Sequence, residues 1–449
     1  MTTMSLTEAT LLQAELHKLE CHFTWKLKKE ELDLTDLLNR LEQHADFNLG
    51  EKAGLAQTYN SLGYVKHLLG SSQDALGYLQ KCVELTKESR LDDCDKWLIV
   101  PYGNLAWLQY QLKCFSECES YLEKIRRIVQ ELPDSSLGLC HQVLGEKAWA
   151  YFKFSRKYYN QAKECFEKVL ELEPMNAEWN CGYAFVLHRT ETECPSVRTI
   201  KQLRQAIDTN PDNDELKALL AVRLGEAKEY NEAESLVEEA LEGSPNAPNV
   251  IRYVGKFLRI YGSVERSIAL LKRVLEKSPT SAFIHHQLAL CYKRKAITLQ
   301  REGTQNSPSA GAEIQRSRSQ CIYYLDKTTE LKPGFITAMI ELANQYGEDG
   351  DLDRAEEMFQ QTLHKAKEKN EYLQQVYLSY GQFQQYRRRS LPEAITCYME
   401  CLKIDEGTVD GKKSAKQLGK INDKRSSKSP VSRKDLRIPV SKEERNAGP

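Results

Sequence analysis

Proline and glycine are scarce in this chain, 14 and 23 of 449 residues, which argues against a sandwich or barrel built on many tight turns. Residues 1–20 lack a basic start followed by a long apolar run, so no secretory signal is read there. No stretch approaches the roughly 20 apolar residues of a membrane span. None of the 13 cysteines lies in a C-x-x-C pair. Scattered thiols at small apolar positions, such as Cys118 and Cys321, read as buried side chains in a reducing compartment. These absences together predict a cytoplasmic protein with no membrane partner. An excess of one charge is also missing, with 63 Lys and Arg against 64 Asp and Glu. Net charge therefore names no partner, although a local basic site can sit within a balanced whole. The phosphate-loop, nucleophile-elbow, H-E-x-x-H and dinucleotide-turn motifs are all absent. The expectation is a binding protein, not an enzyme, with no cofactor and no metal; Cys21-His22 lacks further ligands at a usable spacing.

What is present is a repeat. Pro174, Pro211, Pro245, Pro279 and Pro333 each follow a small residue by twelve positions: Ala162, Thr199, Ala233, Ser267 and Cys321. Four residues after each small one stands a larger apolar side chain (Phe166, Leu203, Val237, Leu271, Leu325), and three further on a modest one (Val169, Ala206, Ala240, Val274, Thr328). Offsets of four and seven share one helical face, and the proline then closes the helix. Successive prolines lie 37, 34, 34 and 54 residues apart, and 34 is the tetratricopeptide period. The triplet recurs without proline at Ala75/Leu79/Cys82, Cys118/Leu122/Ile125, Ala355/Phe359/Thr362 and Ala394/Tyr398/Cys401. Twelve residues before the small residue of a helix B, helix A also carries a small one: Gly63, Ala106, Ala150, Ala221, Gly255 and Ala343.

The predicted fold is all-α, a right-handed superhelical solenoid of about nine tetratricopeptide-type helix pairs around a central basic cavity. Its parts are an N-terminal helical cap (1–50), repeats 1–2 (51–132), and repeats 3–6 with the start of 7 (133–299), which would form the pocket. A polar insertion loop (300–318), repeats 7–9 (319–406) and a basic tail (407–449) complete it. The tail has 12 Lys and Arg against 5 Asp and Glu, and its lack of large apolar side chains predicts disorder.

The A helices of such a stack line its concave wall. In NVIRYVGKFLRIYG, Gly255 faces helix B, so Arg252, Lys256 and Arg259 form a basic stripe on the inward side. An anionic ligand would relieve their mutual repulsion; salt bridges to neighbouring helices would do the same, and the residues alone leave both readings open. Lys153 follows Trp149 by four residues, and Arg189 follows Phe185 by four. Aromatic planes beside cations suit an unpaired nucleotide, whose base stacks while its phosphate takes the charge. Trp149 and Phe185 also suit an ordinary core. His285, His286 and Gln287 open the seventh helix A, where hydrogen bonding to a ligand or a neighbouring helix is more plausible than metal binding.

The segment LECHFTWKL, with GYVKHLLG (63–70), AKECFEKVLELEP (162–174), LRQAIDTNPDN (203–213), RYVGKFLR (252–259), PTSAFIHHQLALCYK (279–293) and YGQFQQY (380–386), resembles the interferon-induced proteins with tetratricopeptide repeats over residues 11–405. That resemblance implies an antiviral protein whose basic tunnel captures the 5′ end of single-stranded RNA, as triphosphate or incompletely methylated cap, and blocks its translation. It implies that Lys153 and Arg189, with Arg40 and Arg252, grip the 5′ phosphates. Trp149, Tyr159 and Phe185 would line the base or cap pocket, and Lys256, Arg259, His286 and Gln287 the RNA path. Translation initiation factors and other family members are further expected partners, and DNA is not. His44, Glu215, Asn249 and Gln382 depart from the family pattern, the first where a glutamine is usual. Two other readings compete: a protein-interaction scaffold without specific RNA binding, and a chaperone co-factor gripping an acidic peptide through Asn60 and Asn104. Tyr64, standing where another asparagine would be wanted, weakens the last.

Overall fold

The computed structural model describes residues 6–46, 52–90, 94–131, 140–191, 195–301 and 308–428. The chain divides into two compact units, Met1–Pro245 and Asn246–Pro449.

In the first unit, α1 (Leu6–Leu16) and α2 (Leu34–Asp46) precede five antiparallel pairs: α3 (Lys52–Leu68) with α4 (Ser72–Ser89), α5 (Cys94–Gln111) with α6 (Phe115–Gln130), α7 (His141–Phe154) with α8 (Tyr159–Leu172), α9 (Ala177–Thr190) with α10 (Val197–Thr209), and α11 (Asp214–Glu226) with α12 (Tyr230–Gly243). The pairing follows from the small residues. Gly63, Ala106, Ala150 and Ala221 on the A helices, and Ala75, Cys118, Ala162 and Ala233 on the B helices, are buried where the partners cross. The larger members Leu79, Leu122, Phe166, Leu203 and Val237 are buried beside them. Between α1 and α2, the LECHFTWKL segment plugs the unit: Cys21, His22 and Trp25 are buried, and the Tyr151 hydroxyl donates to the Trp25 carbonyl at 3.0 Å.

The second unit holds α13 (Pro248–Tyr261) with α14 (Val264–Lys277), α15 (Ala282–Arg301) with α16 (Pro308–Leu331), α17 (Ile336–Asp349) with α18 (Leu352–Lys369), and α19 (Leu373–Phe383) with α20 (Leu391–Ile404), followed by α21 (Val409–Lys428). The expected pairs therefore form, but two expectations fail.

The polar stretch 300–318 is not a loop over most of its length, because α15 runs to Arg301 and α16 begins at Pro308. Proline suits the first turn of a helix. From there Ala310, Ile314, Ser317 and Cys321 make a buried stripe at helical spacing along α16.

The tail is likewise ordered through Lys428. Ser414, Leu418 and Ile421 repeat the four-and-seven spacing, and Ile421 joins Leu378, Tyr398 and Cys401 in one apolar cluster. Gly411 is required at the start of this helix, since a Cβ there would lie 2.3 Å from the Asp405 carbonyl oxygen. A mostly polar composition hid a narrow apolar stripe, which is all that a helix capping one side of a pair needs. The remainder of the two segments, 302–307 and 429–449, lies outside the described residues.

If α21 is a true cap, Ile421→Ala should destabilise the second unit by about 2 kcal/mol or more and speed hydrogen exchange in α19 and α20. Lys420→Ala, on the exposed side of the same helix, should stay within about 0.5 kcal/mol. Equal effects of the two in denaturant titrations would mean that α21 does not hold the last pair.

Candidate functional site

Helix α7 carries two of the candidate residues of the first unit, Trp149 and Lys153. Ala150 turns one face to α8, and Glu146, Trp149 and Lys153 lie beside that face. Trp149 is half-buried, edge-on to Phe166 (5.4 Å between centroids) and to Phe152 (6.0 Å). Helix α9 closes on it at Gly182, where a Cβ would stand 2.3 Å from the Phe166 ring and 3.0 Å from the Trp149 indole. The indole N–H is buried without a hydrogen-bond partner. Trp149 is therefore partly core, but the Lys153 ammonium lies 5.4 Å from its ring centroid. The aromatic–cation pair read from the spacing exists.

Lys153 is half-buried, and desolvation pulls its ammonium below the usual lysine range while Glu178 and Glu146 pull it back up. No ion pair holds it among the described residues. Arg40 reaches the same place from α2, donating from Nη2 to the Lys153 carbonyl at 3.3 Å. Its Nε binds Asp36 at 3.0 Å, so its charge is already shared. Phe185 is half-buried on α9, and Arg189 is exposed on the last turn of that helix. Tyr159 packs on Phe152 at 5.4 Å. The structure thus joins Lys153, Trp149 and Arg40 by direct contact, and sets Phe185 and Arg189 on the adjoining helix without a bond to them.

A polar network not anticipated from the sequence runs beneath. The His22 backbone N–H donates to Asn104 Oδ1 (3.0 Å), and this donor cannot be exchanged for an acceptor. Asn104 Nδ2 must then donate, to His22 Nδ1 (2.9 Å) and to Asn60 Oδ1 (2.8 Å). That leaves Asn60 Nδ2 to donate to Glu146 Oε1 at 2.5 Å. The direction of every amide is fixed by one backbone group. The two asparagines that hinted at a peptide-gripping groove are instead fully buried here, which removes the basis for the chaperone reading. His22 is held neutral by burial, with its pKa pushed down to about 3. Glu146, only 5% exposed, is pushed up to about 7, mainly by burial and against the Asn60 hydrogen bond.

Glu146 also lines a small, partly open cleft, with room for about one water molecule, together with Gln57, Thr86, Arg90 and Trp97. Glu178 is bound by Gln57 (2.9 Å) and Arg90 (3.2 Å), and Arg90 stacks 3.9 Å over Trp97. The sequence signal for Glu146 was its seven-residue spacing from Lys153 on one helix.

His44, the departure from a glutamine, also proves neutral. The Thr58 hydroxyl donates its single proton to the Gly54 carbonyl (2.9 Å), so at 3.1 Å it accepts from His44 Nδ1. Burial and then Lys153 push the His44 pKa down to about 4. A histidine that keeps an Nε2 lone pair offers polarity without a second positive charge.

In the second unit, Gly255 does face α14, a Cβ there lying 3.4 Å from Leu271. Arg252 stacks over Tyr253 (4.3 Å) and Phe283 (5.5 Å). Lys256 and Arg259 follow half-buried on the same side. Burial holds the Arg259 guanidinium below the usual arginine range, and its Nε–H lacks a hydrogen-bond partner. His286 is buried against Phe335 (4.8 Å) with neither ring nitrogen hydrogen-bonded, and burial pushes its pKa to about 4. Gln287 is buried beside it, while His285 bonds the Pro279 carbonyl at 2.9 Å.

The Glu146 shift has a stability consequence. Folded Glu146 binds its proton up to about pH 7, whereas an unfolded glutamate releases it near its ordinary value of roughly 4.3. Its stabilising proton is therefore lost as pH rises through that window. Glu146→Gln should match the parent at pH 4 and exceed it at pH 8 by roughly 1–3 kcal/mol, measured by urea denaturation. A gap that is the same at both pH values would show that folding does not raise the Glu146 pKa.

Comparison with known proteins bears on the fold and the family. The tetratricopeptide-repeat family model matches residues 141–176, which are α7 and α8. The human antiviral innate immune response effector IFIT1 is 35% identical over 90% of this chain and 86% of its own length. The human interferon-induced protein with tetratricopeptide repeats 2 is 31% identical over 97% and 92%. A monomeric IFIT1 mutant solved with Gppp-AAAA superposes with a TM-score of 0.82 at 33% identity, covering 93% of this chain and 92% of that one. The human IFIT1 dimer solved with PPP-AAAA gives 0.79 at 33%, with coverage of 93% and 91%. Identity at this level along nearly the whole chain, with the same all-helical fold, places the protein among the interferon-induced proteins with tetratricopeptide repeats.

Proposed function

We propose that this chain is an antiviral effector that binds the 5′ end of foreign single-stranded RNA, as triphosphate or incompletely methylated cap, and thereby blocks its translation. The observation that carries the reading is the Lys153 ammonium, drawn out of water beside the Trp149 ring and unpaired among the described residues. A desolvated cation gains far more from a phosphate than a surface cation does. Arg40 bonded to the Lys153 carbonyl supplies a second positive group at the same helix end. In this reading Arg189, Trp149, Tyr159 and Phe185 complete the 5′ pocket, and Arg252, Lys256, Arg259, His286 and Gln287 serve the following nucleotides. The RNA complexes solved for IFIT1 support it.

We place its action in the cytoplasm, where translation occurs. Among the described residues no helix is long and apolar enough to cross a membrane. Other family members and translation initiation factors are the protein partners that this reading expects.

Purified protein should bind a 5′-triphosphate oligoadenylate at least tenfold more tightly than the same RNA with a 5′-hydroxyl, because each buried charge contact is worth about 2 kcal/mol or more. Lys153→Ala or Arg189→Ala should abolish the preference while leaving the melting profile intact. Equal binding of both RNAs, or of neither, returns the protein-scaffold reading.

A further inference from the structure

Lys153 has acids near it in the absence of RNA, and the two differ in how free they are. Glu178 is engaged by Gln57 from α3 and Arg90 from the end of α4. Glu146 lies on the same helix as Lys153, two turns earlier, and its one described hydrogen bond is from Asn60. That amide is locked as a donor by the His22–Asn104–Asn60 chain. Oε1 is therefore an acceptor in either protonation state, while Oε2 is the atom at which a proton can come and go. The groups facing Glu146 are Asn60 and Gln57 from α3, Cys82, Thr86 and Arg90 from α4, Trp97 from α5, Lys153 from α7 and Glu178 from α9. Of these, Cys82 is held as a thiol by burial and by Glu146 itself. His22 and His44 also feel the Lys153 charge, and burial keeps both neutral.

We propose that Glu146 is the internal counter-charge of Lys153, and that an RNA 5′ phosphate arriving at Lys153 takes over this role, so that binding is coupled to uptake of one proton by Glu146. The inference rests on the 5′-phosphate reading above. The balance is simple: a carboxylate takes a proton from solvent at Oε2, a phosphate enters, and the net charge around the ammonium changes by what the phosphate brings less the carboxylate charge removed. A second anion beside a buried carboxylate raises the free energy of its ionised form, and low dielectric magnifies the effect. Glu146 is accordingly a positioning residue that acts through Lys153. It would set the pH at which the site accepts RNA.

The test uses full-length protein with two probes: a Gppp-capped oligoadenylate, which has no phosphate titrating near neutrality, and a 5′-triphosphate oligoadenylate. Calorimetry at pH 7 in PIPES and in imidazole, which differ in ionisation enthalpy, should show uptake of about half a proton per capped RNA bound. Affinity should fall about tenfold between pH 6 and pH 8. Glu146→Gln keeps an acceptor for Asn60 but cannot titrate. It should bind as tightly at pH 8 as the parent does at pH 6, with no proton uptake and with a pH profile flat to about twofold. For the triphosphate RNA, the difference between parent and variant cancels the titration of the ligand. A parent that binds with pH-independent affinity and no proton uptake overturns the coupling and leaves the RNA reading standing. A pH dependence that persists in Glu146→Gln moves the proton to Lys153 or His44 and also overturns it. Absence of binding to either RNA takes down both.

Discussion

The close crossing of two helices at a small residue is the constraint on which everything else in this chain depends. Once Ala150 is pressed against α8, the rotation of α7 is set, and with it the direction of every other side chain on that helix. At about 100° per residue, Glu146 and Lys153 lie within about 20° of one another around the axis, and Trp149 about 40° to 60° further on. No separate device is needed to gather an acid, a cation and an indole on one side. Gly182 does the same for α9, since a Cβ there would collide with Phe166 and crowd Trp149. Packing that serves stability thus also aims the functional groups.

The two units use their cations differently. In the second, Arg252 lays its planar, delocalised guanidinium over Tyr253 and Phe283. Such an arrangement suits a run of phosphates and bases taken in turn. Around Lys153 the charge is compact and desolvated, which suits the single 5′ phosphate proposed for it. His22, His44 and His286 are all kept neutral by burial, so histidine adds polarity here without adding charge.

Most of the fold was legible because the small–large–small triplet is a local pattern whose meaning does not depend on distant sequence. The errors came where that pattern was thinned. In α16 and α21 a single stripe of small or apolar residues, Ala310 to Cys321 and Ser414 to Ile421, is diluted by polar neighbours, and average composition conceals it. The spacing of Trp149 and Lys153 correctly foretold a contact. It left open whether the indole would be core or pocket, and the structure makes it partly core because α9 closes on it at Gly182. Glu146 went unread for a related reason. Its partner Asn60 is 86 residues away in sequence, and no local spacing announces a pair so distant. The asparagines were noticed only as a hint of a peptide-gripping groove, a reading that Tyr64 already weakened, and their real role stayed hidden because a buried amide network uses the same side chains.

The half-buried Lys153, with a buried glutamate two turns earlier on its helix, would also answer a problem that the proposed anion site must meet. Without a ligand, an ammonium drawn out of water tends to lose its proton, and a neutral amine would greet a phosphate poorly. An acid nearby keeps the amine charged, but a permanently ionised acid would repel the ligand it is meant to make room for. A carboxyl whose pKa sits at about 7 escapes both difficulties, since it can be negative while the site is empty and neutral once the site is filled. The cost is the free energy of keeping Glu146 buried, which the Asn60–Asn104–His22 chain partly offsets by supplying a donor that cannot turn away. On this view the asparagines serve the site through what they do to one carboxylate.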